Sequence, residues 1–521
     1  MVIFVLRNKL SVMKRLSILL VALMWLPLAS FAQNNLSQED ISNIESYIEQ
    51  IRTDWQIPGM GVSIQKDGEI LLCKGFGVKN LDNPQDKVDP HTLFQIGSVT
   101  KSFTAYLLAT LVEEGLISWE NTVKEILPDF QLYDPWVTEH LQVKDLTSHK
   151  TGIGRQVGTY IANLGYDRND IYSMMSLIKP AYTFRGAYQY NNITFIPAAK
   201  IIEKVTGKSW EDNIRERIFE PLGMNESTIN GEGFAEAQNV ALPYEFISKE
   251  GKMVINPLYG EEQALWWLTV IGPAGSICCP PTDLIKWAQF QLDGGKVGDK
   301  QLISKENMDY LHRGVTITSQ SESKTTLYGH CWFIEQSKKG RIYFHTGTTW
   351  GMTTLCVFVP EFNLALTVQV NSEAPAEPRY AMMRRLVDLC LDLEDYDYNA
   401  DFLKEWYANA TKKSEEEAKA AAEKVVEPAP DPKLITGIYT KDPLFGDARV
   451  TFEEDKLYIT IGKQGWKHEM AHVSGNTYKF RSDGTAFEIT FKFEEGHRKA
   501  ASFEVDFKQG EEFGPWTRLS K

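Results

Sequence analysis

The region from about residue 37 to residue 393 has strand patterns at both ends and helical patterns between them. Near its start, Met60–Gln65 and Glu69–Gly75 flank a Lys66-Asp67-Gly68 turn, which predicts a β-hairpin. Four later segments predict further strands: Tyr328–Ile334, Arg341–His345, Thr353–Val359 and Leu364–Val370. Residues 98 to 310 are mostly helical patches between loops. This order predicts an α+β fold, with one antiparallel sheet assembled from both ends of the region and flanked by helices.

Helices are predicted at both borders of this region. Isoleucines recur at helical spacing from Ile41 to Ile51, and Ser37 with Asp40 forms a capping-box pattern before them. A second helix from about Ala376 to Leu393 closes the region. We therefore expect the sheet to be covered by helices from both ends of the region.

The rest of the chain predicts three further parts. Residues 401–433 are rich in Ala, Glu and Lys before a proline cluster, which is typical of a helical linker. Residues 434–521 alternate polar and apolar side chains in short runs, which predicts a small all-β domain. The predicted division is a signal peptide over 1–32, a larger domain over 33–400, the linker, and the β domain.

The first 32 residues have the pattern of a secretory signal peptide. Basic residues precede the apolar run Leu16–Leu28, which ends at Ala29-Ser30-Phe31-Ala32. The run is shorter than the roughly 20 residues that a membrane-spanning helix needs. The sequence therefore predicts export with cleavage after Ala32, a periplasmic or secreted mature protein, and no stable membrane anchor after cleavage.

Charge and cysteine content exclude several classes of protein. The chain has 69 Asp and Glu against 55 Lys and Arg, a net charge of −14, and it lacks a basic patch. An acidic surface repels phosphate backbones, so nucleic-acid binding is not expected. The six cysteines and nine histidines lack metal-ligand spacing. We predict neither a metal site nor a cofactor.

Ser98 and Lys101 form a candidate nucleophile and base. Three residues apart on a helix, they face the same side, and a desolvated lysine loses its charge and can take the serine proton. The Ser-x-x-Lys pattern occurs five times, at Ser11, Ser63, Ser98, Ser176 and Ser321. Ser98 differs because Gly97 precedes it and a long apolar helical run follows it.

Tyr190 and Asn192 form the second candidate pair. A tyrosine held as phenolate near a lysine can act as a general base, and an asparagine amide can bind a substrate amide. A buried aromatic side chain with a bonded hydroxyl is the alternative interpretation of Tyr190. The same Tyr-x-Asn pattern recurs at Tyr407 in the polar linker, where solvent exposure is expected.

His345-Thr346-Gly347 is the third candidate, at the end of a predicted strand. A literal Lys-Thr-Gly triplet also occurs at Lys150–Gly152, but no strand pattern surrounds it. A strand edge beside the serine can offer a backbone N–H to an oxyanion and can pair with a substrate. We therefore select His345.

In this order, the three motifs resemble those of the serine β-lactamase and penicillin-binding-protein superfamily, in the variant found in class C β-lactamases, D,D-peptidases and related esterases. The resemblance covers about residues 37–393 and implies that the domain over 33–400 is a serine hydrolase. The C-terminal segment resembles a small, lipocalin-like β domain often appended to such enzymes. The family resemblance implies acylation of Ser98 with help from Lys101, a base and acid role for Tyr190, and orientation of the acyl amide by Asn192. It also implies an oxyanion hole formed by the backbone N–H groups of Ser98 and Thr348.

His345 departs from the lysine usual in such β-lactamases, and histidine is mostly neutral at pH 7. We expect a hydrolase that cleaves an amide or ester bond in a small molecule or short peptide: a D-amino-acid or cell-wall peptide, a β-lactam or an ester. A protein that is slowly acylated by penicillins and does not turn over is the alternative.

The β domain is either a specificity module bordering the cleft or a passive appendage. We expect Trp266 and Trp267 to pack in the core, and His149 to be a hydrogen-bonding loop residue.

Overall fold

The part of the chain from residue 37 onward carries the fold. The structure is a computed structural model that describes residues 37–247, 252–255, 262–337, 340–372, 377–391, 396–423, 426–482, 485–496, 498–507 and 513–519. The predicted signal peptide lies outside these residues. Among the helices within them, none is long and apolar enough to cross a membrane.

An eight-stranded antiparallel sheet joins the two ends of the region from about residue 37 to residue 393. Its strands in chain order are β1 (Gly59–Lys66), β2 (Glu69–Gly77), β3 (Thr316–Gln320), β4 (Thr325–Tyr328), β5 (Phe333–Ser337), β6 (Gly340–Thr349), β7 (Met352–Val359) and β8 (Leu364–Val370). The spatial order is β3-β4-β5-β6-β7-β8-β1-β2. The early hairpin therefore pairs with the last strand, with Met60 opposite Val370, and the predicted α+β sheet is confirmed.

The single strand predicted over Tyr328–Ile334 is wrong. The chain forms two strands there, because β4 ends at Tyr328 and β5 begins at Phe333. Between them Cys331 adopts a left-handed backbone with φ of 68°, and a Cβ on Gly329 would lie 2.5 Å from the Arg313 carbonyl oxygen. The apolar residues that suggested a continuous strand include Trp332, which is buried at the turn.

Helices and short turns cover the sheet. The α-helices are Gln38–Asp54, Thr100–Glu113, Val123–Ile126, Pro135–His140, Val143–Thr147, Arg168–Met174, Phe195–Thr206, Trp210–Ile214, Glu220–Leu222, Asn230–Glu236, Glu262–Val270, Gly272–Gly275, Pro281–Leu292, Lys305–Leu311, Pro378–Cys390, Tyr398–Glu423 and Pro432–Ile435. The 3-10 turns are Gly97–Val99, Thr159–Leu164, Met175–Leu177 and Pro360–Phe362, and Arg215–Phe219 is a π-helical turn. Short paired strands are Phe94–Gln95, Ile277–Cys279 and Thr228–Ile229, Tyr244–Ile247 with Lys252–Ile255, and Lys296–Val297 with Lys300–Gln301.

The helix Thr100–Glu113, called the nucleophile helix below, lies inside the protein. Twelve of its residues are buried, as expected for a helix that is apolar on nearly every side. The Phe103 ring stacks on Trp287 at 3.9 Å between centroids, and the Trp210 indole donates a 3.0 Å hydrogen bond to Thr104 Oγ1. This packing holds the start of the helix, where Ser98 and Lys101 lie, in a fixed position.

The C-terminal segment forms a closed eight-stranded barrel. Its strands are Gly437–Thr440, Asp447–Glu453, Lys456–Thr460, Lys467–Ser474, Thr477–Ser482, Thr485–Lys492, Ser502–Asp506 and Trp516–Arg518, and the first pairs with the last. Large aromatic side chains fill the interior, including Tyr439, Phe487, Phe503 and Trp516. The prediction of a small all-β domain is confirmed, and the first, second, fourth and last strands were missed.

The helix Tyr398–Glu423 lies where the helical linker was predicted. The division of the chain into domains at residues 33, 401 and 434 stays a prediction. All six cysteines fall in described ranges, and all six are free.

Candidate active site

Ser98 lies in a tight turn that runs directly into the nucleophile helix. Gly97 before it has φ of +50°, and a Cβ there would lie 2.8 Å from Thr348 N. Glycine is required at this position because both the backbone angle and the contact exclude a side chain. The turn places the partly exposed Ser98 at the start of the helix, on the wall of a cavity.

Lys101 lies one helical turn further on and is fully buried. Its Nζ donates hydrogen bonds to Asn192 Oδ1 at 2.7 Å and to the Ala274 carbonyl at 2.9 Å. It also lies 2.9 Å from Ser98 Oγ, to which it donates as an ammonium and from which it accepts as an uncharged amine. Burial lowers the pKa of Lys101 to about 7, because a charged ammonium loses its hydration there. Near neutral pH a large share of the Lys101 amine is therefore uncharged and able to accept the Ser98 proton.

Tyr190 packs beside both residues. The Lys101 Nζ lies 4.8 Å from the centre of the Tyr190 ring, and the Tyr190 hydroxyl is hydrogen-bonded with the Ser98 side chain. Burial nevertheless raises the pKa of Tyr190 above its usual 10.0. The burial that raises the pKa of Tyr190 lowers that of Lys101, so it favours the phenol form of Tyr190, and the catalytic roles of the two residues stay predictions.

Asn192 contacts protein groups through both ends of its amide. Its Oδ1 accepts the bond from Lys101, while its Nδ2 donates to Gln156 Oε1 at 2.9 Å and to Thr159 Oγ1 at 3.3 Å. The expected role was to orient a substrate amide. In this structure Asn192 links the Lys101 amine to Gln156 and Thr159, which both line the cavity, and its role toward a substrate amide stays a prediction.

The open edge of β6 lies against the Ser98 turn. Trp350 and Gly351 form a two-residue turn between β6 and β7, with Thr349 opposite Met352. Hydrogen-bonded pairs alternate along such a hairpin, so Thr346 and Thr348 direct their N–H and C=O groups away from β7. Pairing with β5 ends at Phe344, which leaves that edge of Thr346 and Thr348 uncovered by a strand.

The contact between this edge and the Ser98 turn is extremely close. A Cβ on Gly347 would lie 1.8 Å from the Ile96 carbonyl oxygen and 3.1 Å from Ser98 N. The backbone segments that carry Ser98 N and Thr348 N are therefore in direct contact, and the oxyanion hole expected from these two N–H groups stays a prediction. Two preorganised N–H donors beside a nucleophile are the arrangement that stabilises an oxyanion.

His345 is buried in the same wall, and its ring nitrogens both have partners. The Nδ1 lies 2.7 Å from the Thr346 carbonyl, which can only accept, so Nδ1 carries the hydrogen. The Nε2 lies 3.2 Å from the Tyr328 hydroxyl and accepts from it. Burial, with Lys101 nearby, lowers the pKa of His345 to about 3. His345 is thus a neutral residue that orders the strand edge, and it cannot supply a cation to a substrate.

The alternative triplet Lys150–Gly152 lies outside this arrangement. The Lys150 carbonyl accepts a hydrogen bond from Arg185 N, and Thr151 lines a different cavity. His149, just before it, is buried, accepts a 3.2 Å hydrogen bond from Asn191 N and packs 4.3 Å from the Tyr190 ring. This segment therefore packs against the Tyr190 ring and does not line the cavity at Ser98.

The cavity at Ser98 has a volume of about 570 Å³ and aromatic walls. Its lining includes Tyr160, Trp267, Trp350 and the predicted site residues Ser98, Tyr190, Asn192, His345, Thr346 and Thr348. Two guanidinium groups line it as well, Arg155 and Arg379, whereas its described lining contains neither Asp nor Glu. Trp267, which we expected to pack in the core, is both buried and part of this wall.

Sequence reasoning missed several residues of the site. Arg379 donates to the Gly347 carbonyl at 3.0 Å and to Thr348 Oγ1 at 3.1 Å, and Gln156 and Thr159 hold Asn192. These residues lie in a helix and in loops without a motif of their own. The Ala274 carbonyl, which accepts from Lys101, is a backbone group that no side-chain pattern marks.

A metal site does not emerge from the described residues. In those ranges, the His, Cys, Asp and Glu side chains form no group of three or more that could hold an ion.

Comparison with known proteins agrees with this architecture. A family model described as Beta-lactamase matches residues 44–390, about two thirds of the chain. An unguisins hydrolase of Aspergillus campestris is 28% identical over 430 residues, which are 78% of this chain and 77% of that protein.

Two solved structures share the fold. The octameric penicillin-binding protein homologue from Pyrococcus abyssi aligns with a TM-score of 0.60 at 22% identity, over 89% of this chain and 98% of that chain. The D-amino acid amidase from Ochrobactrum anthropi SV3 aligns with a TM-score of 0.54 at 20% identity, over 68% of this chain and 98% of that chain.

The family match ends before the barrel, so it describes the sheet, the flanking helices and the cavity. The motifs at Ser98, Tyr190 and His345 all fall within the matched residues. The chain belongs to the Beta-lactamase family, a family of hydrolases.

Proposed function

We propose that the protein is an exported serine hydrolase that cleaves an amide or ester bond through an acyl-enzyme on Ser98. The observation that carries the proposal is the contact between Ser98 Oγ and Lys101 Nζ at 2.9 Å. The lysine is fully buried with a pKa lowered to about 7, and the serine borders a cavity. A hydroxyl with a largely uncharged amine in hydrogen-bond reach is an activated nucleophile.

Acylation uses four groups of the site. The uncharged Lys101 amine takes the Ser98 proton as Oγ forms a bond to the substrate carbonyl carbon, and the carbonyl electron pair moves to its oxygen. The backbone N–H groups of Ser98 and Thr348 bind that oxyanion. Tyr190, a neutral phenol beside Ser98, gives its proton to the leaving nitrogen or oxygen as the scissile bond breaks. The proton on Lys101 then restores the phenol.

Deacylation reverses these transfers with water in place of the leaving group. Water attacks the ester carbonyl and loses a proton to the Tyr190–Lys101 pair. The bond between the carbonyl carbon and Ser98 Oγ then breaks, and Oγ recovers a proton.

The walls of the cavity support a peptide-like substrate. Tyr160, Trp267 and Trp350 offer apolar surface to a side chain, while Arg155 and Arg379 favour a carboxylate or a polarised carbonyl. Relatives include a hydrolase named for unguisins and an amidase named for D-amino acids. We therefore place the amide bond of a short peptide containing a D-residue first among substrates, ahead of esters and β-lactams.

Export is the second part of the proposal. It rests on the basic start, the apolar run Leu16–Leu28 and the small residues before Gln33. The mature protein would then act on substrates outside the cytoplasm.

Intact-protein mass spectrometry after mixing with a penicillin tests the nucleophile. We expect the mature wild type to gain the mass of one penicillin, and Ser98→Ala to gain none while keeping its thermal unfolding midpoint. Ser176→Ala is the matched control, because Ser176 has the same Ser-x-x-Lys spacing but lies exposed in a short turn with its hydroxyl bonded to the Ser173 carbonyl. This variant should react like the wild type.

The lifetime of the adduct separates the remaining functions. Loss of the adduct within seconds supports hydrolysis, whereas an adduct that persists for hours supports the alternative of a slowly acylated penicillin-binding protein. A D-phenylalanine amide and a phenylacetyl ester, followed by product release, extend the test to the other substrate classes. An adduct that forms equally in Ser98→Ala would refute the assignment.

A further inference from the structure

The barrel contacts the catalytic region at the end of a short helix that lines the cavity. This 3-10 helix, Thr159–Leu164, is called the cavity helix below. Its first two residues, Thr159 and Tyr160, line the cavity at Ser98. Thr159 Oγ1 also accepts a 3.3 Å hydrogen bond from Asn192 Nδ2, so this end of the helix belongs to the active-site wall.

The other end of the cavity helix is held by the barrel. Asn163 Nδ2 donates a 3.1 Å hydrogen bond to Thr485 Oγ1, and the Ser482 hydroxyl donates to the Asn163 carbonyl. A Cβ on Gly462 would lie only 1.5 Å from the Leu164 carbonyl oxygen. The two backbones are therefore in direct contact at a point where only glycine fits.

The cavity helix has little stability of its own. A 3-10 helix has poor hydrogen-bond geometry and is short for that reason. Gly158 and Gly165, both with φ near +80°, flank it, so neither border continues a regular element. Its position is consequently set by what it packs against at its two ends.

A second barrel contact reaches the same wall. Trp466 of the barrel packs edge-on against Trp266, with 6.2 Å between ring centres. The next residue, Trp267, lines the cavity, packs 5.4 Å from Trp350 and donates a hydrogen bond to the Thr159 carbonyl at 3.4 Å. Both contacts with the barrel therefore lead to the same pair of cavity residues, Thr159 and Trp267.

Aromatic side chains fill the described interior of the barrel. Phe480, Phe487, Phe491 and Trp516 fill its interior and are almost completely buried, and an eight-stranded barrel is just wide enough for its side chains to fill it. None of the residues found to line the cavity at Ser98 belongs to the barrel. Its influence on that cavity is therefore indirect, and the cavity helix and Trp266 are the contacted segments that lead to lining residues.

We propose that the barrel is a positioning element for the active-site wall: by holding the cavity helix and Trp266, it sets the position of Thr159, Tyr160 and Trp267. It thereby determines which acyl groups the cavity accepts, while the Ser98–Lys101 contact is left intact. The substrate readout of this proposal rests on the proposed function, whereas the exchange readout below does not.

A pair of glycine variants in one barrel loop tests the proposal. Gly462→Ala forces a methyl group against Leu164, whereas Gly465→Ala meets no atom within 4 Å. Both glycines have positive φ, 81° and 67°, so both substitutions impose similar backbone strain. The difference between the two variants therefore reports the contact with the cavity helix.

Hydrogen exchange and substrate selectivity are measured on both variants and on the wild type. We expect faster exchange over residues 159–166 in Gly462→Ala alone. We also expect its KM for a phenylacetyl ester to rise about tenfold, because small displacements of positioning groups are costly, while kcat for an acetyl ester stays within about twofold. Gly465→Ala should match the wild type in both measurements.

Equal behaviour of the two glycine variants, or unchanged exchange and selectivity in Gly462→Ala, would overturn the proposal. Exchange needs no substrate, so its result stands even if Ser98 reacts with neither ester. Trp466→Ala is a second variant for the case in which Gly462→Ala unfolds the barrel. It removes the contact between Trp466 and Trp266 without straining the backbone. It should raise exchange over residues 264–270 with a barrel that still unfolds cooperatively, and unchanged exchange there would also count against the proposal.

Discussion

The pH dependence of Ser98 acylation tests the ionisation of Lys101. Burial lowers the pKa of this amine to about 7. The neighbouring groups titrate elsewhere: the pKa of His345 is lowered to about 3, that of His149 lies well below 6.5, and that of Tyr190 is raised. Around neutral pH, Lys101 is therefore the member of this group whose charge changes.

The size of the effect follows from the titration of one site. With a pKa of about 7, roughly a tenth of the Lys101 amine is uncharged near pH 6 and roughly nine tenths near pH 8. Since only the uncharged amine can take the Ser98 proton, the second-order rate constant for acylation should rise about tenfold between these values. The acylation rate should therefore fall as the pH falls through the pKa of Lys101.

The assay is the rate of adduct formation with a penicillin, followed by intact mass across about pH 5.5 to 9, the range in which a lysine with this pKa titrates. Tyr190→Phe should keep the midpoint and lower the plateau, because the phenol does not titrate in this range. Lys101→Arg keeps the positive charge but has a pKa above about 12, so it should not react at any pH tested.

Three results would refute this reasoning. The first is a flat profile between about pH 6 and pH 8. The second is an acylation rate that still rises steeply at about pH 9, as expected for a lysine with the usual pKa of 10.5. The third is a Lys101→Arg variant that reacts at more than about a tenth of the wild-type rate. Each of these results would mean that a group other than Lys101 takes the Ser98 proton.

Two further substitutions test the strand edge. Gly347→Ala places a methyl 1.8 Å from the Ile96 carbonyl oxygen. It should slow acylation at least about 100-fold, because it separates the backbone N–H groups of Ser98 and Thr348. A loss of less than about tenfold in the same mass assay would contradict the proposed oxyanion hole. His345→Lys adds a cation near Lys101 and Arg379, so it should lower the free energy of unfolding by about 3 kcal/mol and shift the acylation midpoint below pH 7. Thermal unfolding and the pH profile measure both effects, and an unchanged midpoint would contradict the electrostatic argument.

Much of the fold follows from local sequence pattern. The hairpin of β1 and β2, the strands β7 and β8, and the alternating strands of the barrel are recognisable because side-chain direction reverses at every residue of a strand. The turn at Cys331 was missed because a run of apolar side chains looks the same in one strand as in two strands with a buried turn.

The candidate site also has residues that local sequence reveals and groups that only tertiary contacts place. Ser98 and Lys101 are recognisable because residues three apart on a helix share a face, and this geometry depends on the local chain alone. The Thr348 amide beside Ser98 depends on the register of β6 and on Gly97 and Gly347 in contact. Arg379, with no motif around it, reaches the same strand from a helix that follows β8.

The sequence by itself determined the family motifs, the α+β order of the catalytic region and the presence of a β domain, because periodicity and spacing are properties of neighbouring residues. Only the tertiary structure decided that Lys101 is fully buried. The pKa of Lys101 depends on desolvation by segments distant in sequence, including Asn192 and Ala274. It also decided that the barrel supports the wall of the cavity, since the contact of Gly462 with Leu164 exists only when both segments are folded.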